Sequence, residues 1–477
     1  MADRRRTKLQ GHRAQQQELN EYFEACKKAF DFSGVILLGR NGNAIWSGAA
    51  GFANLEHRVP NTIETKFRIA SITKQFTAMA IMILQKQGKI DVSKPLSHYL
   101  SKLPKAWKRI TVHHLLNHTS GLRSYTDLPE YRLFQRQKTS PRDLMKHFFD
   151  EPLKFAPGER FEYCNSGYTM LGILIEELSG ETYADFLRDK IFSRLHMDAS
   201  GVDDAEIVLS NRASGYTRKA DGSLMNADFI DMSVPYAAGA MYSTAPDLLK
   251  WERALTSNML ISKAQLKAMM KSGIENNAYG LFHYDRFGRE VIGHAGGIDG
   301  FVSNIEFLLD ERLCSIILSN STGAPIDLIA RDLWAILLGE PYNLPRKFKP
   351  INVKPKLLDK YVGSYRMNPK FVIKIFREGE RGERLMAQAT GQSKIELFPY
   401  AKDKFFFREI YAQISFVENE EASKSRRFVS GGEKRSGSRR SMSGGKEGSI
   451  SHLILHQGGV DRKAKRLRTT KRTSGSA

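Results

Sequence analysis

The residues with the clearest chemical potential in this 477-residue chain are a serine and a lysine three positions apart, Ser71 and Lys74. A serine hydroxyl is a weak nucleophile until a base takes its proton, and a lysine held out of water can be neutral enough to be that base. Residues three apart on a helix lie on the same face, so the amine can reach the hydroxyl. The pair therefore predicts nucleophilic, covalent catalysis.

Spacing alone does not identify a site, because the same spacing recurs at Ser443 and Lys446 in a run rich in Gly, Ser and Arg. Ser71 differs because it precedes the apolar run Phe76–Leu84, which is rich in good helix formers and followed by the helix-ending Gly88. We predict a buried helix, too short for a membrane span of roughly 20 residues. Ser71 in its first turn would lie beside N–H groups that favour developing negative charge.

Two further polar motifs lie at predicted element ends. Tyr163, Cys164 and Asn165 occupy a polar turn before a second apolar helix, predicted over Tyr168–Leu178. The sequence His-Ala-Gly-Gly at 294–297 leads into a β-like run. Because turns of this kind place side chains at the mouth of a cleft, both motifs are candidates to face Ser71.

Other reactive residues are assigned structural roles. His118 lies where a predicted helix end becomes a loop, and we favour a role in that turn over one as a base. Cys26, Cys164 and Cys314 are far apart, odd in number and without metal-ligand spacing. They predict isolated thiols, with neither a disulfide framework nor a zinc site.

The elements that would position these motifs form a mixed α/β pattern. Asn41-Gly42 separates two β-like runs and is a strong hairpin signal, and an amphipathic helix precedes it. We predict one antiparallel sheet built from both ends of the large domain, enclosing a mainly helical middle over about 90–200, with a cleft between the two. The runs are Gly34–Gly39, Ala44–Gly48, Phe301–Leu309 and Leu313–Leu318, and the helix covers 16–30.

A second region follows a linker rich in Pro, Lys and Asn. Its short, closely spaced β-prone runs predict a small antiparallel barrel, and a long polar stretch between the last two is predicted to be disordered. The predicted divisions are a basic disordered arm at 1–15, a large domain at 16–340, a linker at 341–355, a barrel at 356–465 with a disordered basic insert at 421–450, and a basic tail at 466–477.

The net charge of +21 invites a nucleic-acid hypothesis, but about +15 of it lies in residues 1–15, 421–450 and 461–477. Such segments attract polyanions or anionic membranes weakly and with strong salt dependence. We favour solubilising tails over a binding role. The charged N-terminus has no apolar segment behind it, so it is not expected to be a signal peptide as written. We expect either a cytoplasmic location or a leader that is missing from this sequence.

In order and spacing, Ser71-x-x-Lys74, Tyr163-x-Asn165 and His294-x-Gly296 resemble the three motifs of the serine β-lactamase and penicillin-binding protein superfamily. The closest likeness is to its class C-like branch, which includes DD-peptidases, D-aminopeptidases and esterases. The match covers roughly 16–340 and implies a serine β-lactamase-like fold. The remainder resembles the lipocalin-like barrel often appended to such hydrolases.

The resemblance implies a role for each motif. Ser71 would form an acyl-enzyme, with Lys74 and Tyr163 sharing proton transfer, and which of them is the base stays open. Asn165 would orient the substrate or Lys74. In the third motif His294 and Gly296 would line the opposite wall, and the N–H groups of Ser71 and Gly297 would hold the oxyanion. No metal or cofactor is implied.

Two residues depart from the usual motifs. His294 stands where β-lactamases of this type usually have lysine, and a neutral imidazole binds a substrate carboxylate less strongly than a fixed charge. Cys164, often serine in relatives, is predicted to pack inward.

We therefore predict a serine hydrolase that cuts amide or ester bonds in a peptide or small molecule, resembling a D-amino-acid peptidase or an esterase. The alternatives are a β-lactamase and a penicillin-binding sensor with little turnover. The motifs do not predict the oligomeric state. They also do not predict the cellular compartment, since proteins of the family that this sequence resembles are often extracytoplasmic.

Overall fold

The computed structural model describes residues 2–219, 222–408, 410–419 and 450–467. The chain separates into two compact units, Met1–Arg218 with Leu224–Arg346, and Lys219–Ser223 with Lys347–Ala477. In the part of the chain that is described, no helix combines the length and apolarity needed to cross a membrane.

The first unit contains the predicted sheet and its flanking helices. Its strands are β1 Gly34–Arg40, β2 Asn43–Ala50, β3 Phe52–Asn54, β4 Val59–Pro60, β5 Phe67–Arg68, β6 Gly201–Val202, β7 Tyr216–Arg218, β8 Leu224–Asn226, β9 Met241–Ser243, β10 Phe282–Arg286, β11 Arg289–Ile298, β12 Phe301–Leu308 and β13 Leu313–Ser319. Its α-helices are α1 Ala2–Phe30, α2 Thr73–Lys86, α3 Val112–Leu116, α4 Tyr131–Phe134, α5 Pro141–Phe149, α6 Asn165–Ser179, α7 Tyr183–Leu187, α8 Ser193–Leu195, α9 Tyr236–Gly239, α10 Ala245–Thr256, α11 Lys263–Met269 and α12 Ile326–Leu338. Short 3-10 turns cover Ala70–Ile72, Leu96–His98, Lys105–Arg109, Tyr125–Asp127 and Ile274–Asn276, and a π-turn covers Arg188–Phe192.

The main sheet has the order β10-β11-β12-β13-β1-β2 and is antiparallel throughout. Strand β1 pairs with β13 from Gly34↔Ser319 to Arg40↔Leu313, so the two ends of this unit meet in one sheet as predicted. Six consecutive residues of β1 are buried. Because neighbouring side chains of a strand point to opposite faces, both faces of the sheet are covered here. The predicted α/β arrangement, an antiparallel sheet flanked by helices, is confirmed.

Helix α1 differs from the prediction, since it begins at Ala2 and includes residues expected to form a disordered arm. Ala, Arg, Lys and Gln dominate this segment and are good helix formers. The helix is also anchored, because Gln15 Nε2 donates to the Ile336 carbonyl at 3.1 Å. The predicted arm is therefore helical over 2–15.

The second unit is a closed eight-stranded antiparallel barrel preceded by a 3-10 turn, Pro355–Tyr361. Its strands are β14 Gly363–Asn368, β15 Phe371–Glu378, β16 Arg384–Ala389, β17 Ile395–Ala401, β18 Lys404–Phe406, β19 Ala412–Glu418, β20 Ile450–Gln457 and β21 Val460–Arg466. Apolar side chains fill its interior, including the fully buried Tyr365, Ile414 and Leu453.

Strand β21 closes the barrel by pairing Tyr365 and Arg366 of β14 with Arg466 and Lys465. It has no apolar alternation because all but one of its residues is polar, charged or exposed, and only Ala464 is fully buried. The predicted tail therefore begins one residue too early, at 466. The predicted disordered insert lies outside the described residues except for Ile450, which begins β20.

Candidate active site

A tight turn at the start of α2 holds Ser71. The 3-10 turn Ala70–Ile72 leads directly into α2, so Ser71 lies just before the α-helix instead of in its first turn. Ala70 has a φ of +47°, a conformation that an L-residue other than glycine adopts only at an energetic cost. The turn is fixed from the sheet side, because Ser303 Oγ donates to the Ile69 carbonyl at 2.9 Å.

Lys74 projects from the first turn of α2 toward Ser71. Its Nζ lies 3.1 Å from Ser71 Oγ and donates to the Ala238 carbonyl at 2.7 Å, and the residue is fully buried. None of the described carboxylates forms an ion pair with it. Burial disfavours the charged amine and lowers the pKa of Lys74 from 10.5 to about 7. Lys74 is therefore suited to exchange a proton near neutral pH.

Tyr163 contacts Ser71 from another side. Its hydroxyl donates to Ser71 Oγ at 2.8 Å, and Lys74 Nζ lies 4.8 Å from the centre of its ring. Burial raises the pKa of Tyr163 well above that of a free phenol. At neutral pH this tyrosine keeps its proton and can donate it along the existing hydrogen bond.

His118 packs against the ring of Tyr163 and is therefore in contact with the site. Its ring stacks on that of Tyr163 with a centroid distance of 4.4 Å, and its Nδ1 accepts from the Cys164 N–H at 3.0 Å. Nδ1 therefore has no proton, and the neutral ring carries its proton on Nε2. Burial, followed by the nearby Lys74, holds the pKa of His118 well below its usual value. The sequence predicted a role for His118 in its own turn, and residue spacing alone could not reveal its contact with Tyr163.

Asn165 begins α6 and is oriented by a neighbouring loop. Its N–H donates to Ser124 Oγ and its Nδ2 donates to Thr126 Oγ1, both at 3.1 Å. Cys164 lies inward as expected, with Sγ 3.3 Å from the Leu122 carbonyl, and burial raises its thiol pKa to about 11. The cysteine is thus a poor nucleophile.

Strand β11 brings His294 to the same site. Its ring centre lies 6.0 Å from that of Tyr163. His294 Nδ1 lies within hydrogen-bond distance of the Ala295 carbonyl, so Nδ1 carries the proton and Nε2 is left as an acceptor. That Nε2 is buried and has no partner among the described residues. Burial, and then Lys74, lower the pKa of His294 to about 3, so the imidazole is neutral.

The two glycines after His294 differ in their surroundings. A Cβ on Gly296 would lie 2.3 Å from the Ile69 carbonyl oxygen and 2.4 Å from Ser303 Oγ, so only glycine fits where β11 approaches the turn that holds Ser71. Gly297 is exposed, and a Cβ there would meet no atom within 4 Å. The strand is therefore closely packed at Gly296 and open at Gly297.

The structure brings Ser71, Lys74 and Tyr163 into direct contact, with His294 and His118 around them. Asn165 is in the same turn as Tyr163, and Gly296 is packed against the backbone just before Ser71. Among the described residues, no group of three or more His, Cys, Asp or Glu side chains could hold a metal ion. The arrangement provides a hydroxyl, a weakly basic amine and a phenol donor, which are the groups needed for acyl transfer.

Comparison with known proteins gives consistent matches. The Beta-lactamase family model matches residues 19–338. Penicillin-binding protein 4* of Bacillus subtilis (strain 168) is 28% identical over 435 residues, covering 85% of this chain and 95% of the relative. The structure of the octameric penicillin-binding protein homologue from Pyrococcus abyssi is 25% identical, with a TM-score of 0.62 over 94% of this chain and 98% of that chain.

A third similar protein is the D-amino acid amidase from Ochrobactrum anthropi SV3, whose structure was determined with L-phenylalanine amide. It is 26% identical, with a TM-score of 0.57, and the match covers 65% of this chain and 91% of that chain. Because the family match includes the Ser71, Tyr163 and His294 motifs and spans about two thirds of the chain, this protein belongs to the Beta-lactamase family and is a serine hydrolase.

Proposed function

We propose that this chain cleaves amide bonds, and esters of similar shape, through an acyl-enzyme formed on Ser71. The observation that carries the proposal is the convergence of Lys74 Nζ and Tyr163 OH on Ser71 Oγ, at 3.1 and 2.8 Å. A serine hydroxyl contacted by a base and a donor can attack a carbonyl once the base has taken its proton, and the donor can then protonate the leaving group.

Lys74 is the better candidate for the base. A neutral amine can keep its N–H donation to the Ala238 carbonyl while its lone pair accepts the Ser71 proton. Tyr163 would have to lose its proton to act as the base, and burial raises the pKa of its hydroxyl. We therefore assign it the role of proton donor to the leaving group. Ser71 Oγ is by then bonded to the acyl carbon, so Lys74, whose Nζ lies 4.8 Å from the centre of the Tyr163 ring, would pass the proton to Tyr163 as the bond breaks.

The remaining residues would position the substrate. We assign the backbone N–H groups of Ser71 and Gly297 to the oxyanion, because Gly297 is open and lies in β11, the strand that packs on the turn holding Ser71. The Asn165 amide, held by its loop, would orient the substrate's own amide. His118 would hold the Tyr163 ring in place.

The charge state of His294 guides the choice of substrate. A β-lactam or a peptide C-terminus presents a carboxylate, which a neutral imidazole with a free acceptor atom does not attract. The similar protein from Ochrobactrum anthropi is a D-amino acid amidase. An amino acid amide has an amide group in place of the carboxylate. We therefore place amides of D-amino acids first, together with short D-peptides that have no carboxylate next to the scissile bond, then simple esters, and β-lactams last.

The finer features of the second unit and of assembly are also proposals. We propose that the barrel is of the lipocalin-like type, on the basis of its closed eight-stranded topology. We propose small amides or peptides as the partners of the site. Because the Pyrococcus abyssi homologue is octameric, light scattering on the full chain is the direct measurement of its own assembly.

The test uses intact-protein mass spectrometry with parallel measurement of product release. Wild type, Ser71→Ala and Ser443→Ala are mixed separately with D-alanine p-nitroanilide, p-nitrophenyl acetate and benzylpenicillin. Ser443 is the matched control, since it has the same spacing to a lysine. We expect anilide and ester turnover in wild type and Ser443→Ala only, and slow penicillin acylation. Equal turnover in Ser71→Ala would refute the proposal.

A further inference from the structure

A pocket of about 370 Å³ lies next to the open end of β11. One wall comes from the turn that joins β11 to β12, where Gly297 pairs with Val302 and Ile298 pairs with Phe301. Gly297 therefore belongs both to this pocket and to the strand that carries His294. The pocket therefore shares Gly297 with the position proposed for the oxyanion.

The opposite wall comes from α4, through Tyr131 and Arg132. The Tyr131 ring lies 6.0 Å from that of Tyr125, which is in the loop that holds Asn165. Both walls are thus connected to residues of the catalytic centre. A substrate bound at Ser71 that extends past Gly297 would enter this space.

The pocket contains one carboxylate, Asp299, and one guanidinium, Arg132. Their contacts are long, with Arg132 Nη1 at 3.3 and 3.4 Å from the two Asp299 oxygens. The Arg132 side chain is 64% exposed, whereas that of Asp299 is 23% exposed. An ion pair this open contributes little to stability, so a second cation can displace the arginine at little cost.

Asp299 is the more rigid partner. It occupies the two-residue turn between the paired Ile298 and Phe301, and Gly300 completes that turn at a φ of +83°. Arg132 lies on a four-residue helix and loses more side-chain freedom when it is fixed on a ligand. A preorganised carboxylate beside a movable arginine favours a cationic ligand group over an anionic one.

We propose that this pocket binds the primary ammonium group of the substrate on Asp299, with Arg132 as the counter-ion that the substrate displaces. The inference rests on the proposed function and narrows it to amino acid amides and peptides with a free α-amine. The Phe301 and Val302 side chains line the same pocket and would pack against the apolar part of the substrate.

The kinetic test compares Asp299→Asn with Asp228→Asn. Asp228 is the matched control, since it forms a similarly long ion pair at 3.4 Å, with Arg136, and does not line the pocket. The substrates are D-alanine p-nitroanilide, its N-acetyl derivative and p-nitrophenyl acetate. We expect Asp299→Asn to raise KM at least tenfold for the free amine only, and Asp228→Asn to change none of the three.

A second readout does not depend on turnover. Calorimetric titration of D-alaninamide into Ser71→Ala, with and without Asp299→Asn, should show at least tenfold weaker binding in the double variant. Equal binding, or an equal loss with the acetylated substrate, would overturn the ammonium site. If the ester is hydrolysed through Ser71 but Asp299→Asn changes nothing, only this inference fails. Ester hydrolysis that persists in Ser71→Ala, together with the expected binding loss, would instead reject the proposed function and keep the site.

Discussion

The lowered pKa of Lys74 makes a direct prediction about the pH dependence of acylation. If the neutral amine is the base, the rate must follow the deprotonated fraction of Lys74, whose pKa is about 7 because the side chain is fully buried. A free lysine, with a pKa near 10.4, would remain almost entirely charged at the same pH. Burial is therefore what makes the amine usable at neutral pH.

The size of the effect follows from the titration. One pH unit below the pKa, about a tenth of the amine is neutral, and two units below it only about 1% is neutral. We expect the acylation rate at pH 5 to be about 100-fold below its plateau, with the plateau reached near pH 8. Tyr163 titrates far above this range and should not add a second step there.

The assay is the pre-steady-state burst of nitrophenol from p-nitrophenyl acetate, measured from pH 5 to 9 and corrected with Ser71→Ala at each pH. Stability is followed in parallel, because the unfolded chain holds the lysine proton between pH 7 and 10.5 while the folded chain does not. The Lys74 contribution to the free energy of unfolding should thus become more favourable as pH rises through that window. A flat burst rate from pH 5 to 8, with the protein folded throughout, would refute Lys74 as the base.

Three further predictions concern residues around and away from the site. His118→Ala should lower the acylation rate about tenfold by removing the ring that stacks on Tyr163, whereas His118→Phe keeps the stacking and should stay within about threefold; equal losses would reject a positioning role. Gly296→Ala should reduce ester turnover at least tenfold, since its methyl group would collide with the turn that holds Ser71, and wild-type turnover would refute that packing argument. Ser415 lies 2.8 Å from His456 Nε2 in the barrel, but its strand is paired on both sides. Such pairing leaves no adjacent free N–H groups for an oxyanion, so Ser415→Ala should leave ester hydrolysis unchanged, and reduced hydrolysis with the fold intact would indicate a second site.

The sequence alone was sufficient to select the reactive residue types. Ser71 and Lys74 are three residues apart at the start of α2, so their contact is local in sequence, and the apolar run behind them predicts burial. The sheet was also predictable, because Asn41-Gly42 specifies a hairpin and the runs after Gly300 have strand composition. These signals are local, so they survive without knowledge of the fold.

The rest depends on residues that are distant in sequence. The acceptor for Lys74 is a backbone carbonyl at Ala238, and no side-chain pattern marks a carbonyl. The stacking of His118 on Tyr163 requires two turns to meet. Strand β21 was not predicted because its residues are mostly charged and lack the composition of a strand. Its pairing with β14 and β20 is what makes it part of the barrel.

The pairing of β1 with β13 also determines when this protein can finish folding during synthesis. Gly34 pairs with Ser319, so the first strand must wait for a partner about 285 residues later. At roughly 5–20 residues per second on the ribosome, that wait lasts tens of seconds. During that time the edge of β1 that faces away from β2 is unpaired, because β13 has not yet been synthesised. A nascent chain arrested before residue 313 would therefore expose a strand edge open to aggregation or to a chaperone.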